Sequence, residues 1–220
     1  CKEISLKNGE IPAFLTTSEG YIIRNGGEIQ LQKNDETLEI QADVLSFPIE
    51  GEWQLDFPEN WGAPDSTVLS ELISWTDSEE EGIKYFSGIA TYKNSFNLPF
   101  DPDMLSDDFR VYLNLGNLEK VGDAWLNGKT LGISWSEPHE YDITNHIESG
   151  ENQLKVEIAN VWGNRVIGDA RTGQDYTTTN ITRVRGTEWK DVDLIPSGLL
   201  GPVTIERRKL IFHKELTEEK

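Results

Sequence analysis

Cysteine is almost missing from these 220 residues: Cys1 is the only one, so no disulfide can form within the chain and cysteine usage does not report the redox compartment. Basic residues are also scarce. Twenty Lys and Arg stand against 39 Asp and Glu, a formal net charge of −19. That balance argues against nucleic acid, whose phosphates need a basic surface, and it disfavours anionic membranes. No stretch approaches the ~18 uninterrupted apolar residues of a membrane-spanning helix, and no secretory signal is visible at the N-terminus. Long runs at helical spacing are missing too, so helix is expected to be scarce. Gly-x-Ser-x-Gly, His-Glu-x-x-His, the P-loop and Gly-x-Gly-x-x-Gly are all absent from the sequence, which removes the common nucleophile, zinc and nucleotide signatures.

What is present is turn and strand chemistry. Nineteen Gly, nine Pro and seven Trp favour a turn-rich all-β protein. Val111, Leu113 and Leu115, and again Leu154, Val156 and Ile158, recur at every second position with polar residues between them, the pattern of strands with one buried face. Asn127-Gly128 lies between Ala124-Trp125-Leu126 and Thr130-Leu131-Gly132. Asn-Gly accepts the positive φ angles of a tight hairpin, so these two strands fold back on each other. Earlier in the chain, 13–16, 20–24, 28–32 and 37–41 read as short strands, with turns at Asn25-Gly26-Gly27 and Asn34-Asp35. The division that follows is a short antiparallel β meander or hairpin remnant over 1–45, a β-sandwich over 46–208 and a charged, frayed tail over 209–220.

Several ordered segments carry a resemblance. AWLNGKTLG, the Trp-Ser-Glu-Pro loop, YDIT and GENQLKVEIANVW resemble the galactose-binding-like jelly-roll β-sandwich carried by many glycoside hydrolases, family 2 among them. Gly51-Glu52-Trp53 with Trp61-Gly62-Ala63-Pro64, Ile73-Ser74-Trp75-Thr76 before YFSGIATYKNSF, and Gly163-Asn164-Arg165-Val166-Ile167-Gly168-Asp169-Ala170 before Pro196-Ser197-Gly198-Leu199-Leu200-Gly201-Pro202 add to it. In this order they are similar to the C-terminal end of glycoside hydrolase family 106, the α-L-rhamnosidases, over 14–206. The resemblance implies a galactose-binding-like jelly roll without catalytic residues of its own, because that family's catalytic residues lie in an upstream barrel. The expected partners are therefore a rhamnose- or galactose-containing glycan or a glycosidase catalytic domain. The alternative is a stand-alone extracytoplasmic glycan-binding lipoprotein with a lipid anchor at Cys1. Either reading places the chain outside the cytoplasm, periplasmic or on a bacterial surface.

The stretch most expected to carry function is 161–197, because irregular connections of about 35 residues are uncommon in compact domains. Its charge also departs from the rest: 164–190 holds five basic residues and three acidic ones. Asn164, Arg165 and Asp169 are candidates to contact sugar hydroxyls or a partner domain. The competing reading makes Arg165 and Asp169 an internal ion pair, with Asn164 capping a turn. Among the tryptophans, Trp53 and Trp125 alternate with strand neighbours and are expected in the core. Trp61, Trp135 and Trp189 fall outside the alternation and are candidates to stack on a ligand, while Trp75 and Trp162 are undecided. His139 and His146 lack a third metal ligand and are expected at the surface or in turns. Asp101, Asp103, Asp107 and Asp108 lack the spacing of a known calcium loop; a solvated acidic face is the main expectation, a structural calcium the lesser one. No other cofactor is expected.

Overall fold

The computed structural model describes residues 3–6, 13–33, 36–180 and 183–213. Cys1, the turn at Asn34-Asp35 and the tail beyond 213 lie outside them. The alternating segments form the two layers of a β-sandwich. One sheet runs, edge to edge, Lys129–Ser134, Val121–Leu126, Glu151–Ala159, Ile89–Asn97, Trp53–Asp56 and Ser66–Leu69, antiparallel throughout. The opposite sheet runs Glu140–Asp142, Phe109–Asn114, Thr204–Phe212, Gly20–Ile23 and Phe14–Thr16, with Val44–Pro48 also paired to Thr204–Phe212.

The core lies between the sheets. Leu55, Tyr92, Leu126 and Val156 from the first layer meet Val111, Leu113, Ile143 and Ile205 from the second. All but Ile143, which follows Glu140–Asp142, come from the apolar phase of a period-two strand, so one residue of register slip would turn that set to solvent. Trp75 is buried and stacks against Tyr92 at an interplanar angle of 12°. The Tyr92 hydroxyl accepts from the Trp75 indole and from the Leu199 amide, and burial pushes that phenol well above its usual range. Gly198, at φ +106°, closes this corner: a Cβ there would stand 2.7 Å from both the indole nitrogen and the hydroxyl.

The hairpin forms where Asn-Gly places it. Asn127 and Gly128 have φ of 52° and 76°, and Leu126 pairs with Lys129. Trp125 is different from expectation. It follows Asp123 on the outward phase, with buried Ala124 and Leu126 on the other. Three consecutive apolar residues hide the phase, and the indole lies outside, partly exposed, under the Lys155 ammonium 3.6 Å from its ring centre.

The described strands before residue 48 join the second sheet or pack beside it. Phe14–Thr16 and Gly20–Ile23 extend the second sheet, and Glu3–Leu6, Gly27–Lys33 and Glu36–Ala42 form a separate three-stranded sheet. Ile23, Ile29, Ala42 and Ile211 make a small second core between them. Residues 209–212, expected to fray, belong to the closing strand, with Leu210 and Ile211 fully buried. The same strand carries a buried charge network. The Arg208 guanidinium reaches Glu140 at 2.6 Å and Glu206 at 2.7 Å, and Arg24 reaches Glu140 at 3.2 Å.

Candidate functional site

The 161–197 crossover holds the helix that helical spacing did not reveal, Gly163–Thr172, ended by Gly173 in the left-handed conformation. The remainder carries a two-residue hairpin, 183–188, and a 3₁₀ turn, Trp189–Asp191. Polar groups seat the helix. Asn164 is fully buried: its amide donates to the Ile195 carbonyl at 2.7 Å and accepts from the Ile195 amide at 2.8 Å. Asn160 accepts from the Gly88 amide and donates to the Phe86 carbonyl and the Ser197 hydroxyl. Ser87 accepts from the Arg165 amide. Gly168 allows the closest approach, since a Cβ there would meet the Tyr85 side chain at 2.5 Å.

Arg165 and Asp169 do form the internal ion pair. Arg165 Nε donates to Asp169 Oδ1 at 3.1 Å, with 3% and 9% of the two side chains exposed. The other carboxylate oxygen accepts from the Thr177 amide and hydroxyl, both at 2.8 Å. The guanidinium also lies 4.7 Å from the Tyr176 ring centre. The pair thus holds the segment after the helix against the domain. Asn164 caps no turn; it bridges the helix to the segment at Ile195 and Ser197 that leads into the strand Gly198–Gly201.

Above this pair opens a cleft of about 510 Å³, lined by Trp61, Trp162, Tyr176, Thr178 and the edge of Arg165. The three rings are 42%, 55% and 39% exposed. Gly62, at φ +84°, lets the Trp61 loop approach Tyr176, whose ring a Cβ would meet at 2.9 Å. Thr178 has φ of 47°, a conformation that costs a β-branched residue about 1–3 kcal/mol and clusters at functional sites. A second cleft, about 440 Å³, shares Thr177 and lies beside Asp169, Glu188, Trp189 and Lys190. The Trp189 ring sits 5.7 Å from that of Trp162, and its indole nitrogen has no partner among the described residues. Lys190 hydrogen-bonds Glu188 and holds that carboxyl below its usual range. Flat apolar rings beside amides, hydroxyls and a guanidinium suit a polyhydroxylated ring with one apolar face.

The model of the family described as glycosyl hydrolase 2 galactose-binding domain-like matches residues 74–190, which contain most of one sheet and nearly the whole crossover. The chain belongs to this family.

A "Putative beta-glucuronidase" of Formosa agariphila is 34% identical over 222 residues, covering 86% of this chain but 19% of that protein. A beta-galactosidase of Priestia megaterium is 27% identical over 118 residues, covering 53% of this chain and 11% of that protein. Among solved structures, a rhamnosidase from Novosphingobium sp. PP1Y superposes with a TM-score of 0.67 at 24% identity, over 94% of this chain and 25% of that one. This galactose-binding-like domain therefore spans a quarter or less of the length of each, and at that identity the rhamnosidase likeness is one of fold.

Within the galactose-binding-like domain the sequence-derived candidates separate. Trp61 and Arg165 line the first cleft, Asp169 and Trp189 the second, and Asn164 lies in the interior. Trp135, 75% exposed, follows the edge strand Lys129–Ser134 and is outside the lining of both clefts. Trp162, undecided from the sequence, and Tyr176, which the sequence does not mark, complete the first cleft. A lone aromatic ring in the polar run 173–180 was the available signal for Tyr176. His139 is buried, its Nδ1 2.7 Å from the Ser134 hydroxyl, rather than at the surface. Among the described residues no three His, Cys, Asp or Glu side chains are grouped to hold a metal. Asp101 accepts from the Asp103 amide. Hydrogen bonds from Lys209 and Ser106 hold the Asp108 carboxyl below its usual range.

Proposed function

We propose that this chain is a non-catalytic accessory module of an extracytoplasmic, α-L-rhamnosidase-like glycoside hydrolase, and that it holds glycan in the Trp61–Trp162–Tyr176 cleft. The convergence of three exposed rings over a buried, pre-ordered Arg165–Asp169 pair carries the reading. Stacking surface is available without reordering the backbone, and rigid aromatic contacts lose little conformational entropy on binding. The two carboxylate oxygens of Asp169 are committed to Arg165 and Thr177, so the pair positions the cleft.

The test is titration of the purified chain with neutral rhamnose- and galactose-containing oligosaccharides, followed by tryptophan fluorescence and calorimetry. Saturable binding weakened about tenfold or more, about 1.4 kcal/mol, by Trp61→Ala or Trp162→Ala supports the proposal. No binding by a well-folded sample overturns glycan contact at this cleft. The second reading, that these rings pack on a catalytic domain, draws on the small share of each relative that the chain spans.

A further inference from the structure

The outer face of the sheet that contains Val121–Leu126, Glu151–Ala159 and Ile89–Asn97 holds a groove of about 900 Å³, separate in its lining from both clefts of the crossover. Strand register builds it. Trp125 pairs with Lys155, Lys155 with Lys93, Lys93 with Gln54 and Gln54 with Val68. All five belong to the outward phase of their strands, and they form one straight row across the sheet. Four interstrand spacings make the row about 19 Å long, the span of a short oligosaccharide rather than of one sugar.

The charges along this row are uneven. Lys93 and Lys155 stand directly opposite each other, an arrangement that costs stability in a sheet unless it is compensated. Compensation comes from one side only: Asp56 reaches Lys93 at 2.7 Å and Glu157 reaches Lys155 at 3.0 Å, both from the neighbouring row. On the other side the ammonium groups face Gln153 and Ser95. Asp56 and Glu157 are outside the groove's lining, and its charged groups are two lysines against the single carboxylate of Glu52. In a chain of net charge −19 this groove sets two ammonium groups side by side, each already paired with one carboxylate. An ammonium has three donors, so each lysine can keep its carboxylate and still donate to a ligand. Trp125 closes one end with an indole, and Val68, 57% exposed, closes the other.

We infer that this groove is a second binding site, for an extended oligosaccharide that carries carboxylates. Its carboxylates sit beside Lys93 and Lys155, its hydroxyls exchange hydrogen bonds with Gln54 and Gln153, and one ring packs against the edge of Trp125, one face of which the Lys155 ammonium covers. This is independent of the aromatic cleft, and either site can fail without the other.

The experiment titrates the whole chain with a tetramer of galacturonic acid, and separately with a neutral galactose tetramer, at low salt and at 0.5 M salt. The expected result is saturable binding of the acidic tetramer that weakens with salt, at least tenfold tighter than the neutral one. Lys93→Gln with Lys155→Gln should weaken it tenfold or more, as should Trp125→Ala, while Trp61→Ala leaves it unchanged. Both lysines are surface groups, so the double variant tests the site even if Trp125→Ala folds poorly. Absence of binding, equal affinity for the neutral tetramer, indifference to the lysine pair, or loss only with Trp61→Ala would each overturn the inference.

Discussion

The sandwich interior and the first two turns of the crossover helix are both well buried, but they are held by different forces. Between the sheets, Leu113, Val156 and their neighbours are placed by apolar alternation, which is non-directional and tolerates exchange of one aliphatic side chain for another. In and just before the crossover, Asn160, Asn164, Arg165 and Asp169 are placed by hydrogen bonds to particular backbone and side-chain groups. Directional contacts fix a geometry that alternation cannot specify, at the cost of failing badly when one partner is lost. The cleft rings stand on the directional part.

Three probes test this contrast. Arg165→Ala should have the largest effect, because it leaves the Asp169 carboxylate buried without its cation, a loss of about 3–5 kcal/mol. Urea unfolding should show the midpoint falling, and the chemical shift of Tyr176 should move even in the folded protein. A midpoint within error of the parent would mean that the pair contributes nothing to the crossover. Gly168→Ala comes next. The added methyl group has Tyr85 in its way at 2.5 Å, and overpacking of this kind costs about 1–3 kcal/mol. A substitution of the same size at Gly128, in the hairpin, meets no neighbour within 4 Å and is opposed by its positive φ alone, so comparing the two separates contact from backbone conformation.

The third probe is acid, and its effect is the smallest. Burial pushes the Glu206 carboxyl up, but hydrogen bonds from Asn114, Arg208 and Thr204 outweigh it and leave the group below its usual range. A carboxyl whose folded pKa is depressed adds stability that is present above the unfolded carboxylate range and is lost as pH falls from there through the lower folded pKa. Thermal melts from pH 7 down to pH 3 should therefore show a declining midpoint below about pH 4.5. Glu206→Gln should make that slope shallower, and an unchanged slope would remove Glu206 from the account.

Much of the sandwich was legible because alternation and Asn127-Gly128 are local signals. The strands around 14, 20, 28 and 37 were placed within a residue or two of where they lie. The phase failed at Trp125, where Ala124, Trp125 and Leu126 are all apolar and only Asp123 marks the outward side. The crossover helix was hidden for another reason. Its sequence, GNRVIGDART, has two glycines and buries Asn164, Arg165 and Asp169, so it offers no apolar stripe and is held by tertiary contacts. The i, i+4 spacing of Arg165 and Asp169 did suggest a pair, but spacing alone left it undecided between ligand contact and internal support. Convergence of Trp61 with Trp162 and Tyr176 was out of reach, since residues about a hundred apart in sequence meet only through the fold.

The closing strand Thr204–Phe212 pairs on one side with Phe109–Asn114 and on the other with Val44–Pro48 and then Gly20–Ile23. During synthesis, segments made near the start must therefore wait for their mate until the ribosome has added more than 150 further residues. Such distant pairing makes assembly slow and leaves unpaired strand edges open to aggregation meanwhile. A nascent chain stopped before residue 204 should remain a client of chaperones, and emergence of Thr204–Phe212 sets the moment at which the two layers close.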